Sequence, residues 1–559
     1  MAALASRKIA LLAAALGATA LPAEGAGDAA FSRPELPEAY CLLPQDQPSG
    51  GTAAAPAPPP VLIDGLGFAG IGADSANAEA RAWFAQGVRL IWAFDEAEGI
   101  RAFREAQRLD PNCALCFFGE AWARGPTINL QPRTEELEAA RTAAQRAVAL
   151  GGNLSARDRV LVEGMALRTR PGAAFSNGPY ARFMERAAAR FPDDDVIAVM
   201  AADAGMVTWG NRRQREGTVA QRLLERVLAR NQDHSGAIHF YIHLTDWIDR
   251  QELAERYADR LGRIAPAASH LVHMPSHTFY GVGRYRDAAA VNVAAIAADA
   301  AYESRVRPPP TDYRSGLLAH NMHFAIESAL VRGDAATALA VSAQYRARYL
   351  GERSNSRTRL LGSATWYTLG LHRPVGEVMA VAAPGNALER ALRLYARGEA
   401  QARQGDAAAV RAEAAALAAL RTGTDAPGLG RRGSALAEIF QHVLEGRAAM
   451  LAGDFDAAEA GYRAAMDAQR AADFGSDPPL YWYSVRRSLA AAMLAGGDAR
   501  GAREQLRASL RHWPNDPLAL YALSLAERRL GNAAAAERAL AAARAGWAGD
   551  VTAVPLARI

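Results

Sequence analysis

The chain has 559 residues, 50% hydrophobic, 22% charged and 7% aromatic, enough apolar content to bury several cores and too much for a disordered tail. Its formal charge of +4 falls to about +2 without Arg7 and Lys8, which lie in the leader described next, so no clustered basic face is present to neutralise nucleic-acid phosphates. Lys8 is the only lysine, which removes Schiff-base chemistry and a P-loop from the mature chain, and three cysteines (Cys41, Cys113, Cys116) allow at most one intrachain bridge.

Arg7 and Lys8 precede the apolar run Ile9 to Ala20, which ends in Ala18-Thr19-Ala20. Such a run is too short to span a bilayer and reads as a signal peptide over 1–20, cleaved after Ala20 or, as second choice, after Ala23. The expectation is an exported protein, periplasmic or secreted, with no transmembrane segment in the mature chain. Residues 21–75 are rich in Pro, Ala and Gly, with AAAPAPPP from Ala53 to Pro60, and are expected to form an extended linker.

Beyond the linker, small and aromatic residues recur at fixed offsets. Gly446, Gly453, Phe455, Ala458, Tyr462 and Ala465 take places eight, fifteen, seventeen, twenty, twenty-four and twenty-seven of a 34-residue unit. Gly497, Ala502 and Pro514, then Gly531, Ala536 and Leu540, continue it. Trp83, Gly87, Phe103, Ala106 and Pro111 fit places four, eight, twenty-four, twenty-seven and thirty-two. Small residues let antiparallel helices approach, bulky ones fill the gap between neighbours, and proline stops the second helix. The pattern resembles the tetratricopeptide repeat over most of residues 76–545. It implies an all-α fold, a right-handed α-solenoid of antiparallel helix pairs. We expect an N-terminal array over 76–350, degenerate helical repeats over 351–436, a C-terminal array over 437–546 and a tail over 547–559.

Cys113 and Cys116 follow Asp110-Pro111-Asn112 and open the first helix of a repeat. The spacing allows a local disulfide, two inert helix cysteines, or a redox or metal thiol pair; no second pair completes a zinc site and no histidine follows for haem attachment. Gly125-Pro126-Thr127-Ile128-Asn129 then reads as a helix-ending turn. Together with the string His273-Met274-Pro275-Ser276-His277, Pro-Asn-Cys-x-x-Cys resembles a group of exported bacterial tetratricopeptide-repeat proteins, a resemblance that implies architecture and export and no named reaction.

Seven of the eleven histidines lie between His239 and His323. With Ala254, Ala288 and Ala338 aligned at place twenty, His239, His273 and His323 take place five, His243 and His277 place nine, and His270 and His320 place two. These places lie three and four residues apart on the first helix of each unit, the stripe that lines the concave groove in the tetratricopeptide family. Pro275 interrupts the pattern: either the helix kinks there, or it starts at Pro275 and leaves His270 and His273 on the incoming loop. Three neighbouring helices thus aim imidazoles at one volume, the donor type preferred by Cu, Fe and Zn. Asp246 and Glu327 could complete a site or orient a ligand. Phe240, Tyr241, Trp247, Phe279, Tyr280 and Phe324 read as packing, with some able to wall a pocket.

The functional expectation is a groove that binds a transition metal through His239, His243, His270, His273, His277, His320 and His323, with a metal-dependent enzyme as one use of such a site. The alternatives are a non-catalytic scaffold holding a peptide or partner protein in the same groove, and periplasmic metal storage or delivery. Neither a nucleophile triad nor a carboxylate dyad is assignable, and no nucleic-acid partner is expected.

Overall fold

The computed structural model describes residues 58–559 apart from 133, 211–213, 352–353, 473 and 475–476, and the side chain of residue 312. The expected signal peptide, most of the expected linker and Cys41 lie outside the described residues.

Every regular element among the described residues is helical. The helices follow one another in antiparallel pairs, and glycines set how closely they pack. The ring of Phe103 sits where a Cβ on Gly87 or on Gly119 would be, 2.6 Å and 2.4 Å away, so one phenyl ring keys together three successive helices, Ala78–Trp92, Glu96–Leu109 and Ala114–Ala123. The same device recurs in the C-terminal array, where Tyr462 covers Gly446 at 2.7 Å and Gly461 lies against the Gly446 backbone. Gly87, Phe103, Gly446 and Tyr462 are repeat positions read from the sequence, and the chain is an α-solenoid.

The turn inside many pairs has a simple chemical form. Gly333, Gly405, Gly453 and Gly497 adopt left-handed φ values of 72° to 99°, open to glycine without strain. Each is followed by an aspartate, Asp334, Asp406, Asp454 or Asp498, whose carboxylate accepts a backbone N–H of the next helix at 2.8–3.1 Å.

Two features depart from an open solenoid. Residues 61–69, expected to be linker, are docked: Ile63 N–H donates to Gln86 Oε1 (2.8 Å), Phe68 N–H to Ser235 Oγ (3.1 Å) and Trp92 Nε1–H to the Ala69 carbonyl (3.3 Å). Ile63 and Leu66 are buried, and that apolar burial outweighs the extended bias of the Pro-rich stretch before them. Secondly, the C-terminal array returns to the first one. Asn515 donates to the Val282 carbonyl (3.3 Å), Ala548 N–H donates to the Arg332 carbonyl (2.7 Å), and the aromatic segment Leu480 to Tyr483 is fully or almost fully buried, with Tyr367 Oη donating to the Leu480 carbonyl at 2.8 Å. No helix among the described residues is long and apolar enough to cross a membrane.

Candidate metal centre

Four helical segments carry the histidines. Ser235–Trp247 presents His239 and His243, Ser269–His273 presents His270 and His273, Pro275–Gly281 presents His277, and Asp312–Val331 presents His320 and His323. Met274 keeps right-handed helical angles (φ −49°, ψ −38°) and joins the two short helices, so a helix does begin at Pro275, but the residues before it are helical too: His270 and His273 stand on helix, not on a loop. Proline lacks the N–H that would continue the ladder, which explains the break.

Six rings form two groups of three. In the first, His239 Nε2 lies 3.2 Å from His243 Nε2 and 3.1 Å from His270 Nε2. In the second, His273 Nε2 lies 3.0 Å from His277 Nε2, and a ring nitrogen of His320 lies within 4.8 Å of both. The groups adjoin, with ring centroids 5.9 Å apart for His243 and His277 and 5.8 Å for His270 and His273. Each packs on one phenylalanine: Phe94 against His239 (4.3 Å) and His270 (5.5 Å), and Phe324 against His277 (4.9 Å), His320 (5.3 Å) and His273 (5.4 Å).

The partners of the opposite ring nitrogens fix which atom carries the lone pair. His239 Nδ1–H donates to the Trp92 carbonyl (2.6 Å), His273 Nδ1–H to Asn292 Oδ1 (2.6 Å), His277 Nδ1–H to Asp477 Oδ2 (2.6 Å) and His323 Nδ1–H to the Leu361 carbonyl (2.8 Å). Asn292 cannot reverse its role, because its Nδ2 donates to the Ala288 carbonyl at 2.8 Å. His273 and His277 therefore turn two Nε2 lone pairs toward each other across 3.0 Å, which needs a cation or a proton between them.

The seven imidazoles are at most 5% exposed. Burial pushes His239 down to about 3 and His323 to about 4, and it lowers His243, His270, His273 and His320 well below the ordinary range. These are the neutral, metal-ligating forms at physiological pH. At His277 burial opposes charge, but the Asp477 carboxylate more than offsets it and raises the pKa. Asp246 and Asp477 each bring a carboxylate oxygen within 4.8 Å of His277. Glu327 stands elsewhere, with an oxygen 4.0 Å from His323 Nε2, and burial alone drives its pKa well above the usual carboxylate range. His323 thus belongs to neither triad.

A cavity of about 50 Å³ lined by Phe94, Asp95, His270, Asp299, Tyr302 and Arg314 reaches the first triad.

Several of these partners carry no signal in the histidine pattern. Asp477 lies 200 residues from His277 and arrives only because the C-terminal array folds back. Phe94 caps the first triad from a left-handed turn residue (φ 55°). Asn292 did leave a trace: it is the polar residue on the buried stripe of Ala288 and Ala295 in the Tyr285–Val306 helix. Of the aromatic residues expected as packing, Phe240, Tyr241, Phe279, Tyr280 and Phe324 are buried and Trp247 is half-buried. Cys113 and Cys116 are bonded to each other at the start of the Ala114–Ala123 helix and belong to none of these groups of ligands.

Neither family models nor curated proteins match the chain. Among solved structures it is similar to a human IFIT1 dimer with m7Gppp-AAAA (12% identity, 84% of this chain and 91% of that one, TM-score 0.28). It is also similar to the P58(IPK) TPR domain (12% identity, 81% and 99%, TM-score 0.21) and to the Cut9–Hcn1 hetero-tetramer of APC/C (13% identity, 86% and 88%, TM-score 0.24).

Proposed function

We propose that this protein holds two adjoining transition-metal ions inside an α-solenoid, one on His239, His243 and His270 and one on His273, His277 and His320, and that it is a metal-dependent enzyme. The observation that carries the reading is the convergence of Nε2 atoms at 3.0–3.2 Å within the two groups, with the tautomers of His239, His273 and His277 set from behind by Trp92, Asn292 and Asp477. Acceptors that take the N–H on the far side of the ring orient metal-bound histidines. The donor set of neutral imidazoles without thiolate suits Cu, Fe or Zn and not Mg or Ca. Three protein ligands leave a coordination position for a reactant, the arrangement of reactive and not structural zinc sites. When bound, such ions supply Lewis-acid or redox chemistry. Among the chain's own residues, Phe94 and Phe324 pack on the rings and keep bulk water from them.

The solenoid fold also supports a second reading, a non-catalytic scaffold that binds a peptide or partner protein along its surface. On that reading the histidines would not face the ligand, because they are buried. Export to the periplasm or beyond remains part of the proposal on the strength of the first twenty residues. The test is elemental analysis of the mature protein purified without an affinity tag, beside the His243→Ala, His277→Ala double variant. The proposal expects near-stoichiometric Cu, Fe or Zn that the double variant loses. Equal metal content in the two proteins refutes it, and bound metal without turnover of any substrate class tested would assign storage or delivery.

A further inference from the structure

The helix Asp312–Val331 carries a third set of ligand atoms that the two triads do not use. His320, His323 and Glu327 follow at spacings of three and four residues, on one stripe of that helix. His320 belongs to the second triad. The other two are buried, Glu327 at 0% and His323 at 1% exposed. His323 donates its Nδ1–H to the Leu361 carbonyl, so its Nε2 lone pair faces inward. That Nε2 lies 4.0 Å from Glu327 Oε1. Neither His323 Nε2 nor either oxygen of Glu327 has a hydrogen-bond partner, and the Tyr280 hydroxyl and Ser328 Oγ are likewise unpartnered. The Pro478 carbonyl lies against the His323 ring, and Tyr280 and Tyr367 are the electrostatic neighbours of the carboxylate.

A buried carboxylate with both oxygens unpaired is costly unless something satisfies it. An imidazole lone pair and a carboxylate oxygen 4.0 Å apart are too far apart to bond each other. Both are acceptors when the carboxylate is ionised, and they bracket a space that a cation satisfies directly. At metal–nitrogen and metal–oxygen bonds of about 2.0–2.2 Å, two ligands of a tetrahedral ion stand about 3.3–3.6 Å apart, so a bound ion draws these two side chains together from 4.0 Å by about half an ångström.

We propose a third metal position, held by His323 Nε2 and the Glu327 carboxylate beside the second triad. The inference rests on the dinuclear reading only in that all three positions take the same class of ion. The test strips the full mature chain with a chelator and titrates it with Zn(II) and, separately, Co(II), with stoichiometry read by native mass spectrometry. The wild-type chain is expected to take three ions, and Glu327→Gln and His323→Ala are each expected to take two. His239→Ala with His243→Ala should also lose one ion, a different one, so combining it with Glu327→Gln leaves one. Glu327→Gln is close in shape, and Glu327→Leu serves as a second variant, with thermal unfolding followed by circular dichroism to show that each is folded. Two ions in the wild type and the same two in Glu327→Gln would overturn this inference alone and assign the space to a bridging water. No ion in any protein would overturn the dinuclear reading with it.

Discussion

Asn292→Leu probes the link between the second triad and its support. Asn292 is fully buried, accepts the His273 Nδ1–H at 2.6 Å and is held in that orientation by its own bond to the Ala288 carbonyl at 2.8 Å. Leucine fills much the same volume and accepts nothing, so it leaves a ring N–H unpaired where water does not reach, a loss of about 1–3 kcal/mol in the metal-free protein. Ser276 Oγ, 3.4 Å from the same nitrogen, can take part of the bond and places the loss toward the lower end. Removing an acceptor behind a metal-bound histidine lowers affinity by about 10–100-fold, or roughly 1.4–2.7 kcal/mol. The first triad is oriented by the Trp92 carbonyl and has no share in this bond. Competition of the reconstituted protein against a chelator should therefore show one Zn(II) step weakened by that factor and another unmoved. Equal weakening of all steps, or no weakening at all, would refute the reasoning.

Further outcomes follow from other residues. Phe94→Ala removes a fully buried ring that covers the first triad; denaturant unfolding should show a loss of about 3–5 kcal/mol, and release of one ion to a chelator should quicken. Burial pushes the Glu96 carboxyl up to about 8, with Asp95 and Asp203 adding to the shift. In the folded chain it stays protonated over a range where the unfolded chain has lost that proton, so its contribution falls as pH rises from about 4.5 to about 8, by at most about 1.4 kcal/mol per unit. Glu96→Gln should gain stability relative to the wild type across that window and hold a constant margin above it, as read by denaturant titration at several pH values. Replacing Cys113 and Cys116 by Ser opens a loop with a sequence separation of 3, so the loss should be no more than about 2 kcal/mol, with metal content unchanged by elemental analysis.

The repeat was legible because it is written in local chemistry. Glycines under Phe103 and Tyr462, and the Gly-Asp turns, act within tens of residues, and each is a requirement of close helix packing. The histidine stripe was legible for the same reason, since spacings of three and four give one helix face whatever surrounds it. Which rings share a site was not. One unit divides its histidines even within the short Ser269–His273 helix, so that His270 joins His239 and His243 while His273 and His277 join His320. The stripe was also expected to line an open groove. It is buried, in part under the returning C-terminal array, which brings Asp477 to His277 and Leu480 to Tyr367, a long-range event that no periodicity encodes. The docked segment 61–69 was hidden by its Pro-rich neighbours in the same way.

Anomalous-difference diffraction from crystals of the metal-loaded protein, recorded at the absorption edge of the bound element, tests the central claim most directly. The account predicts one peak bonded to the Nε2 atoms of His239, His243 and His270 and a second among His273, His277 and His320. Peaks confined to surface residues, with the six buried rings hydrogen-bonded only to one another and to water, would contradict it.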